Sequence, residues 1–125
     1  MPERVPDGSA MPLYEIKANL FKALAHPARI RVLEVLSATG RRTPVSDILA
    51  RTDIEPTLLS QHLAVLKRHY VVKSHRAGNA VYYELAHPKV SELLVIARTF
   101  LIDTLAARRD QLELASSLPP LGTAE

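Results

Sequence analysis

Between residues 44 and 66 the apolar positions fall into two short helical stripes separated by a polar break. In the first stripe Val45, Ile48 and Leu49 recur at i, i+3 and i+4, which predicts a two-turn helix over residues 44–51 with one face packed on a core. The pattern stops around Thr52-Asp53 and restarts at Glu55-Pro56, where proline suits the first helical position because its missing N–H has no partner to lose there. Leu59, Leu63 and Leu66 then form the buried stripe of a second helix. The same period gathers Thr57, Ser60, Gln61 and Ala64 on the opposite side, all small or hydrogen-bonding. Residues 71–76 and 80–85 follow as β-rich runs joined by Ala77-Gly78-Asn79, a turn whose Gly and Asn tolerate positive φ, so a hairpin is expected.

The flanking segments read as helices. Ile16, Leu20, Phe21 and Leu24 line one side of residues 14–24, and the His26-Pro27 junction ends that helix because a residue before proline avoids the α region. Pro27 opens a second helix whose Ile30, Val32, Leu33, Val35 and Leu36 are mostly core, and residues 40–43 link it to the two-stripe segment. After the hairpin, Pro88 starts a long helix to about Leu114. Its apolar positions, among them Leu93, Leu94, Val95, Ile96, Phe100 and Leu101, leave little polar face, which implies burial on two sides. A domain this small offers one side, so a second copy of the chain is expected to supply the other. The first and last helices would form that two-fold interface, through Ile16, Leu20, Leu94, Phe100, Leu101 and Leu105. Residues 1–12, with three prolines and a glycine, and residues 116–125, with Pro119-Pro120-Leu121-Gly122, are expected to be flexible tails around one domain at residues 13–115. The expected fold class is mainly α with a small β-hairpin wing.

Charge sharpens this picture. From Pro56 through Tyr83 there is no Asp or Glu, while Lys67, Arg68, Lys73 and Arg76 are present with His62, His69 and His75. A one-signed stretch of this kind is the electrostatic footprint of a phosphate-binding surface. A helix entering a major groove also needs a face free of bulk, with Ser, Thr or Gln able to reach base edges.

Three segments carry a resemblance: residues 24–33 (Leu-Ala-His-Pro-Ala-Arg-Ile-Arg-Val-Leu), 59–66 (Leu-Ser-Gln-His-Leu-Ala-Val-Leu) and 76–83 (Arg-Ala-Gly-Asn-Ala-Val-Tyr-Tyr). In this order and spacing they closely resemble the winged helix-turn-helix repressors of the ArsR/SmtB type, over about residues 14 to 105. The resemblance implies a homodimeric bacterial repressor, released from palindromic operator DNA by a metal ion or another signal. It puts Thr57, Ser60 and Gln61 where the family meets the major groove. Lys67 and Lys73 are then candidates for the DNA backbone, and Arg76 and Asn79, beside the wing tip, for phosphate or an adjacent minor groove. His62 and His26 read as structural. The family usually has glycine where this chain has Tyr70, so either that turn is rebuilt, shifting the wing, or the tyrosine is held in a strained conformation.

The signal is less legible. Relatives that sense zinc, nickel or cobalt commonly place ligands at the start of the last helix and further along it, and the matching positions here are His87, Lys89, Phe100 and Asp103. A lysine ammonium repels a cation and phenylalanine has no donor, so the spacing survives without the chemistry. Nickel or zinc as a cofactor then rests on His87 with a carboxylate from Glu84 or Asp103. Otherwise the signal comes from a co-regulator protein, a small molecule or the amount of repressor. With no cysteine in 125 residues, thiolate metal sites and thiol switches are excluded. The apolar content of 47%, with two Phe, four Tyr and no Trp, calls for an aliphatic core, and a net charge of +3 suits a nucleic-acid partner. The absence of a membrane span or secretory pattern points to the cytoplasm and the bacterial nucleoid. An enzyme is not expected, for there is no nucleophile elbow, phosphate-cradling Gly loop or convergent His/carboxylate set. The rival class is a winged helix that binds protein, which would want an apolar or acidic recognition face.

Overall fold

A computed structural model describes residues 11–117 of the chain. The elements run α1 (Leu13–Leu24), α2 (Pro27–Thr39), β1 (Thr43–Pro44), α3 (Val45–Thr52), α4 (Pro56–Arg68), β2 (Val72–Ala77), β3 (Ala80–Leu85) and α5 (Pro88–Ser117). Residues through Ser91 form one compact unit and those from Glu92 onward a second.

In the first unit the aliphatic stripes converge. Val32, Leu33 and Leu36 from α2, Ile48 from α3, and Leu59, Leu63 and Leu66 from α4 are all buried, closed on one side by Val71 and Val72 and on another by Ala23 and Leu24. Helix starts follow their caps: His26 Nδ1 accepts from the Ala28 N–H at 3.1 Å, and Glu55 Oε1 accepts from the Leu58 N–H at 3.0 Å. Between α3 and α4 the chain turns on Asp53 at φ 57°, with its N–H bonded to the Leu49 carbonyl at 2.9 Å. Buried Thr52 donates to the Ile48 carbonyl at 2.7 Å and accepts from the Ile54 N–H at 3.4 Å, so its hydroxyl is satisfied within the turn.

The wing is a three-stranded antiparallel sheet in the order β1-β3-β2, one strand more than the expected hairpin. The linker at residues 40–43 ends in β1, where Thr43 pairs with Tyr83 and Pro44 with Tyr82. Two residues are too few for a periodic signal, but Thr43 is fully buried and shares one hydroxyl hydrogen bond with Thr39 at 2.7 Å. Ala77 pairs with Ala80, leaving Gly78-Asn79 as a two-residue turn. Of these two turn residues Gly78 takes positive φ, at 62°.

Tyr70 resolves in favour of strain. It sits at φ 60°, with its N–H on the Lys67 carbonyl at 3.0 Å and the Val71 N–H on the Leu66 carbonyl at 2.9 Å. This is the Schellman pair of bonds after a helix, and Val71 and Leu66, the positions at which that motif usually carries an apolar contact, are both buried. The turn is not rebuilt: the glycine geometry is kept by a residue with a Cβ.

The long helix α5 continues through Ser116 and Ser117, two residues into the expected C-terminal tail. The rest of that expected tail, residues 118–125, and most of the N-terminal one, residues 1–10, lie outside the described residues. No residue of α5 is buried in the single chain. Among the described residues no helix is long and apolar enough to cross a membrane.

Candidate nucleic-acid interface

The buried stripe of α4 fixes which side of the helix meets solvent. With Leu59, Leu63 and Leu66 inward, Thr57, Ser60, Gln61 and Ala64 are exposed together, and Leu58 beside them is 50% exposed. Arg76 and Asn79 are exposed at the wing tip, and Lys67 is exposed in the last turn of α4. Lys67 stands about 15 Å along the axis from Thr57 at 1.5 Å per residue. Lys73 is separated from Arg76: successive strand residues alternate faces, so these two, three apart on β2, point to opposite sides. Lys73 stands at the wing base opposite Glu84.

Two clusters hold these surfaces in place, and neither is visible as a local pattern. His62, on α4, accepts a hydrogen bond at Nδ1 from Arg29 Nε at 3.2 Å, and its ring lies 4.4 Å from that of His26 at an interplanar angle of 50°. Arg29 also donates to the Ala23 carbonyl at 3.1 Å, so one guanidinium joins α1, α2 and the recognition helix. Burial, and then repulsion from His26 and Arg29, hold the His62 imidazole below its ordinary pKa, so it sits as a neutral acceptor. At the wing, Glu84 Oε2 meets His75 Nε2 at 2.5 Å and Arg42 Nε at 3.5 Å. The hydrogen bond from His75 is the main reason its carboxyl lies below the ordinary glutamate range, with smaller attractions from His75, Lys73 and Arg42 and an opposing effect of burial. The strand register, which places Glu84 diagonal to His75, could have exposed this network; the 33-residue separation of Arg29 and His62 left no comparable clue.

Metal binding finds little support in the donor set. Glu84 is engaged by His75 and Arg42, and His87 Nδ1 accepts from the Lys89 N–H at 3.0 Å, capping α5. Asp103 belongs to the second unit. Among the described residues no three His, Cys, Asp or Glu side chains come together as a metal site. The residues present do not fit nickel or zinc.

A helix-turn-helix domain family matches residues 24–75, the span from the end of α1 to mid-β2. Rv0081, an HTH-type transcriptional regulator of Mycobacterium tuberculosis H37Rv, is 47% identical over 103 residues, spanning 82% of this chain and 89% of that protein. Its crystal structure matches with a TM-score of 0.71 at 46% identity, over 79% of this chain and 98% of that one. The solution structure of the homodimeric winged helix-turn-helix DNA-binding domain of Mb0332 from Mycobacterium bovis, described as a possible ArsR-family regulator, matches with a TM-score of 0.68 at 27% identity, over 84% and 94%. The transcriptional repressor SdpR of Bacillus subtilis is 36% identical over 67 residues, 54% of this chain and 72% of that protein. A helix-turn-helix with its recognition face exposed, a three-stranded wing and relatives of this kind place the protein outside enzymes: the chain belongs to the ArsR/SmtB-type winged helix-turn-helix transcriptional regulators.

Proposed function

We propose that this protein is a homodimeric repressor that reads a palindromic operator, with residues 13–115 acting as one DNA-binding and dimerisation domain. The observation that carries the reading is the exposed face of α4, where Thr57, Ser60 and Gln61 stand free of bulk and without a carboxylate among them. Gln61 and Ser60 hydrogen-bond base edges, Thr57 meets a base or a nearby phosphate, and half-exposed Leu58 suits a thymine methyl. Arg76 and Asn79 steady the wing on the backbone directly, while Lys67 and Lys73 add to the attractive field.

Dimerisation follows from the uncovered apolar surface. Ile16 on α1 and Phe100, Leu101 and Leu105 on α5 are each at least half exposed in the single chain, and Leu20 and Leu94 are partly so. A soluble monomer seldom leaves so many large apolar side chains in water, and a second copy covers them by two-fold symmetry. Such symmetry presents two recognition helices to an inverted repeat. The reading puts the protein on the nucleoid in the cytoplasm, with its signal supplied by a co-regulator or a small molecule.

The test is Gln61→Ala. Losing one bidentate base contact per half-site costs about 1–3 kcal/mol of discrimination. Fluorescence anisotropy at fixed salt should therefore show operator affinity falling about 5- to 150-fold per contact while affinity for scrambled DNA stays unchanged. Equal weakening on both DNAs would show that α4 does not read sequence.

A further inference from the structure

We propose that the cavity between the C-terminal end of α2, the base of the wing and the first turn of α5 binds a small organic oxyanion, a carboxylate or a phosphate monoester. The cavity holds about 410 Å³ and is formed entirely by residues of the first unit. That volume lies within the roughly 300–1,000 Å³ typical of small-ligand sites.

Its polar lining is rich in donors and poor in free acceptors. Arg41 and Lys73 bring positive charge, and among the described residues neither forms a salt bridge. His87 uses Nδ1 to accept the Lys89 N–H, which leaves Nε2 to donate. Ser37 and Ser91 hydrogen-bond to each other across α2 and α5, and one of the two hydroxyl protons remains free for a ligand. The exception is Glu84, whose carboxylate is already engaged by His75 and Arg42 and so offers the ligand little repulsion. Leu36, Leu85 and Pro88 supply the apolar part of the wall, which favours a carbon skeleton over a bare inorganic ion. A cation finds the wrong charge here, and the Lys89 and Val90 amides at the start of α5 are not what attracts the ligand, because His87 already accepts from both.

The place of the cavity gives binding a consequence. Lys73 and Glu84 are paired on β2 and β3 of the wing, while Arg41 follows α2, so a bound anion would cross-link wing and α2 and neutralise the Lys73 charge. On the DNA-binding reading above, that lowers operator affinity.

The experiment is calorimetric titration of the full-length protein, without DNA, with glycerol 3-phosphate, inorganic phosphate, succinate and citrate. Expected is saturable binding of at least one organic probe at one per protomer, with phosphate esters or di- and tricarboxylates identifying which oxyanion is preferred. A charge-assisted hydrogen bond of about 1.5–3 kcal/mol predicts a loss of roughly tenfold or more in Arg41→Gln. Arg108→Gln, an exposed control cation far along α5, should bind as the parent does. No saturable binding of any probe, or equal loss in Arg41→Gln and Arg108→Gln, would overturn the proposal. A second titration against operator DNA then asks whether the bound probe weakens it about tenfold, within the usual range of coupling between sites. Because the first measurement contains no DNA, its failure leaves the repressor reading intact, and failure of the operator assay leaves the binding site intact.

Discussion

Tyr70→Gly should stabilise this protein although it removes an aromatic side chain. Tyr70 is held at φ 60° in the turn that follows the recognition helix, where the Tyr70 and Val71 N–H groups bond back to Lys67 and Leu66. A residue with a Cβ is disfavoured in this left-handed region by about 1–2 kcal/mol. Glycine escapes that penalty but loses about 0.4–1 kcal/mol through the greater freedom of its unfolded chain. The side chain is 86% exposed, so little packing is lost with it. The balance is a gain of about 0.5–1 kcal/mol, or some 2–5 °C in Tm for a domain near this size. Urea unfolding at fixed protein concentration measures it, since stability of a dimer depends on concentration. Tyr70→Ala separates the two causes: alanine keeps the Cβ penalty and should match the parent to within about 0.5 kcal/mol. If glycine proves no more stable than the parent, or alanine stabilises equally, strain at this position is not what the sequence carries.

Phe100→Glu with Leu101→Glu should convert the protein to a monomer in sedimentation and abolish operator binding, because two carboxylates would be buried without partners in the proposed interface; a dimer that persists would place the interface elsewhere. Arg76→Ala should weaken binding to all DNA sequences alike and lower the salt dependence of log K by about one per contact removed, as expected for a phosphate contact. An unchanged slope would remove Arg76 from the backbone. For pH, the folded His62 binds its proton less readily than the unfolded one, so the unfolded state holds more protons just below the ordinary His value of 6.5. Stability is thus full above that value and is lost as pH falls from it towards the lower folded value. Urea midpoints from pH 8 to pH 5.5 should show this fall, and His62→Gln should flatten it; an equally steep fall in the variant would assign the effect to another group.

How far the sequence alone reached depended on how local each feature is. The stripe Leu59, Leu63 and Leu66 determines the exposed side of α4, so Thr57, Ser60 and Gln61 are legible as a face from the sequence, and the structure exposes all three. The wing strands were legible because β-rich runs flank a glycine turn, and the observed strands begin within one residue of the expected ones. The β1 strand was not legible: Thr43 and Pro44 are only two residues, and their strand character comes from pairing with Tyr83 and Tyr82 far along the chain. The grip of Arg29 on His62, and the cavity beside Ser37 and Ser91, arise from tertiary approach across 33 and 54 residues, distances over which hydrophobic periodicity says nothing. Tyr70 shows the opposite limit. Local preference argues against a left-handed tyrosine, and the Schellman bonds together with the burial of Val71 and Leu66 outweigh it.

The most direct test of the central claim is hydroxyl-radical footprinting of the purified protein on the DNA upstream of its own gene. A two-fold dimer reading successive major grooves predicts two protected half-sites related by an inverted repeat, with centres about 10 base pairs or a multiple of that apart. Protection of one half-site alone, or none at salt concentrations where non-specific binding is suppressed, would contradict a dimeric operator-reading repressor.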